Sequence, residues 1–277
     1  MPELPEVETA RALLARVAIG RRIVGVRCAP DALVFERVAP ARFRAALLGR
    51  RVRRVGRHGK HLWLELDRRP WPCFHFGMAG GFHAPGAPGV RLISGGGTLP
   101  AWPPRFTKLH IVFEGGREVA LADARRLGRI RLRRDPRHEP PISRLGFDAL
   151  DGRPSVRRFA ELLAGRSAPI KAVLLDQGFS AGVGNWIADE VLYQARIAPR
   201  RPARSLREAE IRRLRAAIGQ VVGTAVRVGA DSDRFPRGWL FHRRWGKDPA
   251  AHTARGEPIR HIVVGGRTTA WVPGVQE

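Results

Sequence analysis

QGFSAGVGNWIADE, residues 177–190, is the stretch that decides how the second half of the chain folds. Residues 169–177 before it and 185–195 after it carry helical patterns, so the glycines fall in a break between two helices. Glycine lets the backbone approach a bound group closely, and a helix N-terminus attracts anions. Asn185 is the expected cap of the second helix and an expected donor to a phosphate. A plain packing corner between two helices would carry the same residues, so this stretch alone leaves both readings open.

Working outward, residues 155–164 and 206–228 are also helical, the latter with a stripe of Leu206, Ile211, Leu214, Ile218, Val221, Val222 and Val226. Downstream, PIRHIVVGGRTTAWV at 258–272 is two β-rich runs around Gly265-Gly266-Arg267, a hairpin signal. Upstream, RDPRHEPP at 134–141 reads as a linker. Before it, a helix over 5–19 is followed by short strands at 22–28, 52–56, 61–66, 73–78, 108–113, 117–122 and 129–133. Residues 84–105 are rich in Gly, Pro and Ser and read as a loop. The expected class is therefore α+β: a β-sandwich with a leading helix over 1–134, a linker at 135–141, a helical domain over 142–230 and a hairpin finger over 231–277.

The chain has 277 residues, with 50 Lys+Arg against 25 Asp+Glu and a net charge of +25. Genome bias explains an excess of Arg over Lys, but not basic residues outnumbering acidic ones two to one. A polyanionic partner, above all nucleic acid, is expected. No apolar run is long enough for a membrane span. The acidic start, MPELPEVETARALLARV, is unlike a signal peptide, so a cytoplasmic or nucleoid location is expected. Cys28 and Cys73 form no CxxC pair, which excludes a cysteine zinc finger and a disulfide framework. No metal or other cofactor is expected.

Five short constellations can carry chemistry, each weak in isolation. Removal of Met1 would expose the secondary amine of Pro2, and an α-amino group has a pKa near 8, so much of it is neutral and nucleophilic. Glu3 adjoins it as a candidate acid. Lys60, in GRHGKHLWLEL at 56–66, lies at a turn from which it can reach a phosphate. Met78 in HFGMAG, with Arg125 and Leu127 in DARRLG, sits where a strand ends; apolar or planar groups there could refill the stack left by an extruded nucleotide. Both Met78 and Leu127 could equally be core residues. The Asn185 turn is the fourth constellation, and Arg267 on the terminal hairpin, a phosphate fork or an exposed turn residue, is the fifth.

Their order is more telling than any one of them. MPELPEVET, Lys60 before a strand, GMAG, DARRLG, IKAVLLDQGFSAGVGNWIADEVLY and a terminal GGRTT hairpin together resemble the formamidopyrimidine-DNA glycosylase/endonuclease VIII family, from residue 2 to about 275. The resemblance implies an N-terminal β-sandwich, a helix–two-turns–helix domain and a terminal finger. It also implies excision of oxidised or ring-opened bases from duplex DNA followed by strand cleavage, by a protein expected to be a monomer. It casts Pro2 as nucleophile and Glu3 as acid, with Lys60, Asn185 and Arg267 clamping phosphates and Met78, Arg125 and Leu127 filling the void. Lys171 is a further phosphate candidate.

The departures point to a branch. Where most of the family has four zinc-binding cysteines, this chain has His252, Arg255, Val272 and Val275. That resembles the zincless-finger branch of plant and fungal type, whose hairpin is expected to be held by packing through Trp271, Ile262 and Val264. Leu127 stands where a Phe is usual, and the stretch from Gly229 to Trp245 is short for a lesion-capping loop, which argues against strong 8-oxoguanine preference. Three rivals remain: a non-catalytic binder of damaged DNA, an RNA-binding module, and a basic structural protein that leaves the acidic N-terminus without a role.

Overall fold

The computed structural model describes residues 2–86 and 101–277. They form two compact units, one running to Arg144 and including Gly229–Ser232, the other Leu145–Val228 with Asp233–Glu277. The stretch 134–141, read as a linker, lies inside the first unit, and the terminal hairpin belongs to the second rather than standing apart. Most of the loop expected at 84–105 lies outside the described residues. No helix among the described residues is long and apolar enough to cross a membrane.

The first unit holds α1 (Leu4–Ala18), β1 (Ile23–Cys28), α2 (Pro40–Leu47), β2 (Val52–His58), β3 (His61–Leu66), β4 (Trp71–His75), β5 (Gly81–His83), β6 (Thr107–Phe113), β7 (Arg117–Ala122) and β8 (Arg129–Arg133). They make two four-stranded sheets, in the orders β1-β6-β7-β5 and β2-β3-β4-β8. All pairings in both are antiparallel. The shared core is built of strand side chains such as Leu62, Leu64, Phe74, Phe82, Leu109, Ile111, Phe113, Leu121 and Ile130, all buried. Helix α1 contributes Val7, Ala10, Leu14 and Val17 to the same core, which fixes where the chain's beginning lies. Against the sequence reading, β4 ends at His75, so Gly77 and Met78 belong to a turn, and α2 is an element the pattern did not show.

The second unit holds β9 (Phe147–Asp148), α3 (Val156–Ala164), α4 (Ile170–Leu175), β10 (Ser180–Ala181), α5 (Asn185–Ala195), α6 (Glu208–Arg227), β11 (Arg260–Val264) and β12 (Arg267–Trp271). The apolar stripe of α6 buries Ile211, Leu214, Ile218, Val221 and Val222. Trp186, on α5, packs against Phe235 and Phe241, with ring centroids 5.5 and 5.1 Å apart. Phe235, Trp239, Leu240 and Phe241 are all buried, so the apolar side chains of this part of the stretch after Gly229 belong to the core.

Candidate active site

In the first unit, Pro2 and Glu3 precede α1 and are buried, Glu3 in extended conformation, as is Glu6 one turn on. The Glu3 backbone N–H donates to Glu6 Oε2 at 2.9 Å, while Glu6 Oε1 is buried without a hydrogen-bond partner among the described residues. Burial and the neighbouring Glu3 carboxylate push the Glu6 carboxyl up to about 7, well above the usual carboxylate range. The acidic group nearest the chain's start is thus a cluster of Glu3 and Glu6.

Helix α1 is tied to the turn that carries Lys60. The Arg57 guanidinium, buried at the end of β2, donates to Glu8 Oε2 at 2.8 Å and to the Gly59 carbonyl at 3.2 Å. Gly59 has φ of +53°, the left-handed conformation that a tight hairpin turn requires, and Lys60 follows it. Next to this turn, His61 and His75 stack across β3 and β4 with centroids 4.7 Å apart. Burial and then the Lys60 ammonium hold the His75 imidazole down at about 4, so it is neutral. Its Nδ1 accepts the Gly77 N–H at 3.2 Å, which leaves the ring hydrogen on Nε2 as a donor.

Met78 and Leu127 are 38% and 39% exposed, which removes the reading of them as core. They share one place: a Cβ on Gly77 would lie 2.4 Å from the Leu127 carbonyl carbon, so the two turns are in direct backbone contact. Buried Asp123 shapes the DARRLG turn by accepting from the Arg125 N–H at 3.1 Å and the Gly128 N–H at 2.7 Å. Arg126, in left-handed conformation, is drawn off to Asp31 by two hydrogen bonds of 2.9 and 3.2 Å. Arg125 and Leu127 on either side of it stay exposed.

In the second unit the glycine-rich turn is stapled by Gln177, whose Nε2 donates to the Leu175 and Val183 carbonyls and whose Oε1 accepts the Gly182 N–H. Gly184 is the N-cap of α5 and Asn185 its first helical residue, which corrects the expectation that Asn185 is the cap. Asn185 Nδ2 donates to the Thr268 carbonyl on β12 at 3.0 Å. Arg267 opens β12, exposed, after Gly265 and Gly266.

Two family models match the sequence: the formamidopyrimidine-DNA glycosylase N-terminal domain over residues 1–130 and its H2TH domain over residues 145–236. A formamidopyrimidine-DNA glycosylase of Arabidopsis thaliana is 43% identical, aligned over all of this chain and 71% of its own. The chain belongs to the formamidopyrimidine-DNA glycosylase family. The family's enzyme from Thermus thermophilus is 37% identical over all of this chain and 98% of its own. A crystal structure of the Thermus thermophilus MutM (Fpg) protein superposes with a TM-score of 0.78 at 34% identity, covering 99% of this chain and 98% of that one. The Lactococcus lactis glycosylase, bound non-covalently to DNA containing an abasic site, superposes at 0.82 with 26% identity over 99% of each chain.

In this glycosylase-family chain the four positions expected to replace cysteines have different surroundings. Val272 is fully buried with Leu240, Ile259 and Ala270, and Val275 packs beside them, whereas His252 and Arg255 are exposed. The hairpin is therefore anchored by Ile259, Ala270 and Val272, not by Trp271 and Ile262, which are only partly buried; Val264 is buried as expected. Lys171 needs correction too. It is 0% exposed, its ammonium donating to Asp189 Oδ1 at 2.5 Å, to Thr269 Oγ1 at 2.7 Å and to the Thr268 carbonyl at 3.3 Å. An ammonium with its donors used inside the protein holds the hairpin; it is no open phosphate clamp. The sequence reading missed Glu6, Arg57, His75 and Asp189. Only His75, at a strand end inside HFGMAG, could have been singled out from the string.

Proposed function

We propose that this chain, a DNA glycosylase of base excision repair, is bifunctional: it removes oxidised or ring-opened bases from duplex DNA and then cleaves the strand through a covalent intermediate on Pro2. The reading is carried by one observation: the buried Pro2–Glu3–Glu6 start of α1, coupled through Glu8 and Arg57 to the turn bearing Lys60. With Met1 removed, the Pro2 nitrogen lone pair attacks the sugar's C1′. The glycosidic C1′–N bond breaks, and its electron pair leaves with the base, which takes up the proton that the Pro2 nitrogen gives up on bonding. Glu3 protonates the ring oxygen as the sugar opens, and C1′ is left as an iminium. That iminium acidifies C2′, so loss of a C2′ proton expels the 3′ phosphate, and a second elimination expels the 5′ phosphate. Water then hydrolyses the remaining adduct and frees the amine. Lys60, His75 Nε2, Asn185 and Arg267 are the phosphate donors, and Met78, Arg125 and Leu127 fill the stack as the lesion turns out.

Ring-opened or further-oxidised purines and abasic sites fit better than 8-oxoguanine, because the stretch from Gly229 to Trp245 is short and its large apolar side chains Phe235, Trp239, Leu240 and Phe241 are committed to the core. The test is Pro2→Gly on duplexes carrying single lesions. Base removal should fall by at least about a hundredfold, because the substitution leaves a primary amine without the ring that fixes its lone pair toward the sugar carbon, while duplex affinity stays within about threefold. Full activity of the variant would refute the role given to the proline ring and its secondary amine. A wild type that binds lesions but never excises would favour a non-catalytic binder.

A further inference from the structure

Asp189 lies one helical turn after Asn185 on α5, and its side chain is 0% exposed. Around its carboxylate four parts of the second unit converge. Oδ1 receives Lys171 Nζ from α4. Oδ2 receives the Arg244 guanidinium at 2.5 Å and the Ala270 backbone N–H of β12 at 3.0 Å. Lys171 carries the network on to Thr269 Oγ1 and the Thr268 carbonyl, which Asn185 also reaches. The hairpin turn itself rests on α4: a Cβ on Gly265 would sit 3.1 Å from the Ala172 side chain. Arg267 is the residue between this turn and Thr268.

A carboxylate held by two cations and a backbone N–H can meet all three donors only within a narrow range of geometries, so it defines position more sharply than apolar contact does. The apolar cluster of Leu240, Ile259, Ala270 and Val272 lies beyond Asp189 toward the C-terminal end of β12. It does not reach Arg267. At the Arg267 end, β11 pairing sets the register, with buried Val264 opposite Arg267, and the charged network is what ties this end of β12 to α4 and α5 by hydrogen bonds. We propose that Asp189 is a positioning residue: with Lys171 and Arg244 it locks β12 onto α4 and α5 so that Arg267 and Asn185 present their donors to DNA phosphates together. This rests on the reading of Arg267 as a phosphate contact.

The experiment is a double-mutant cycle on the full chain, with binding to a duplex carrying a stable abasic-site analogue measured from low to moderate salt. Arg267→Ala should weaken binding about tenfold and lower the salt slope by about one. Asp189→Asn should reproduce most of that loss and slope change. The double variant should bind within about threefold of Arg267→Ala, because one residue acts through the other. Thr269→Val keeps the charges balanced and removes one of the three hydrogen bonds by which the network reaches β12, so it serves if Asp189→Asn fails to fold, and it should show a smaller loss with the same coupling to Arg267→Ala. Multiplicative losses in the cycle, or an Asp189→Asn salt slope equal to the wild type's, would overturn the proposal. If Arg267→Ala itself left affinity and slope unchanged, the phosphate reading would fail instead.

Discussion

Gly77 shows most plainly how one residue shapes this site. Its φ of +61° and its contact with the Leu127 backbone leave no room for a side chain. Its N–H also holds His75 in the tautomer that leaves Nε2 free to donate. Gly77→Ala must either strain the turn or push the DARRLG loop away. The expected cost is about 2–4 kcal/mol of stability, read from urea unfolding, with lesion excision falling more than non-specific duplex binding. An alanine variant as stable and active as the parent would show that the two turns do not depend on one another. Such a contact is invisible in the string, because HFGMAG and DARRLG are almost fifty residues apart and their meeting depends on β4 pairing with β8. The same holds for Lys171: it reads as one more surface cation, since its counter-ion, eighteen residues downstream, sits beside a second acid, Glu190, in the helical run WIADEVL, and nothing in the string shows that either is buried.

At the scale of elements, legibility followed periodicity. Strands β3, β7 and β8 and helix α5 match the sequence reading residue for residue, because each runs without a break between turn residues. Helix α2 was missed because only Phe43 and Leu47 bury, one pair on one face of eight residues. Helix α5 carries a second buried acid, Glu190, which accepts the Phe241 N–H at 2.9 Å and so holds the aromatic stretch after Gly229. Burial pushes its carboxyl up to about 7 from 4.5. A raised acid prefers to keep its proton in the fold, so its contribution is complete below about pH 4.5 and is lost as pH rises to about 7, on the order of 3 kcal/mol. His61 and His75, held low by burial, act with opposite sign in part of that window, so the measurement is a difference. Glu190→Gln, which mimics the protonated form, should match the parent's thermal midpoint near pH 5 and exceed it by several degrees at pH 8. Equal midpoints at both pH values would show that Glu190 ionises without cost.

For the whole molecule, the net charge of +25 gives the sequence its clearest signal and the function its first step. Binding to any duplex should release counterions, so affinity should fall log-linearly with salt, by about 0.9 per phosphate contacted. Undamaged and lesion-bearing duplexes should then differ in affinity far more than in slope, since lesion recognition adds stacking and base contacts to a shared set of phosphate contacts. A slope near zero on undamaged duplex would break the link between composition and function. The mixed α+β class and the terminal hairpin were legible at this scale because the change from strand-like to helical periodicity, and the Gly-Gly pair between two β-rich runs, are written in the string. The hydrogen-bond networks that position Lys60 and Arg267 were not, because each joins residues from several elements.

The central claim concerns a single bond, between the Pro2 nitrogen and a sugar carbon. Wild-type protein mixed with abasic-site duplex, reduced with borohydride and digested with trypsin and nuclease, should yield the peptide Pro2–Arg11 without Met1, carrying a reduced deoxyribose remnant on its first nitrogen by fragment-ion mass spectrometry. An adduct mapped to Lys60 or any other amine, or no adduct while the strand is still cleaved, would contradict the account.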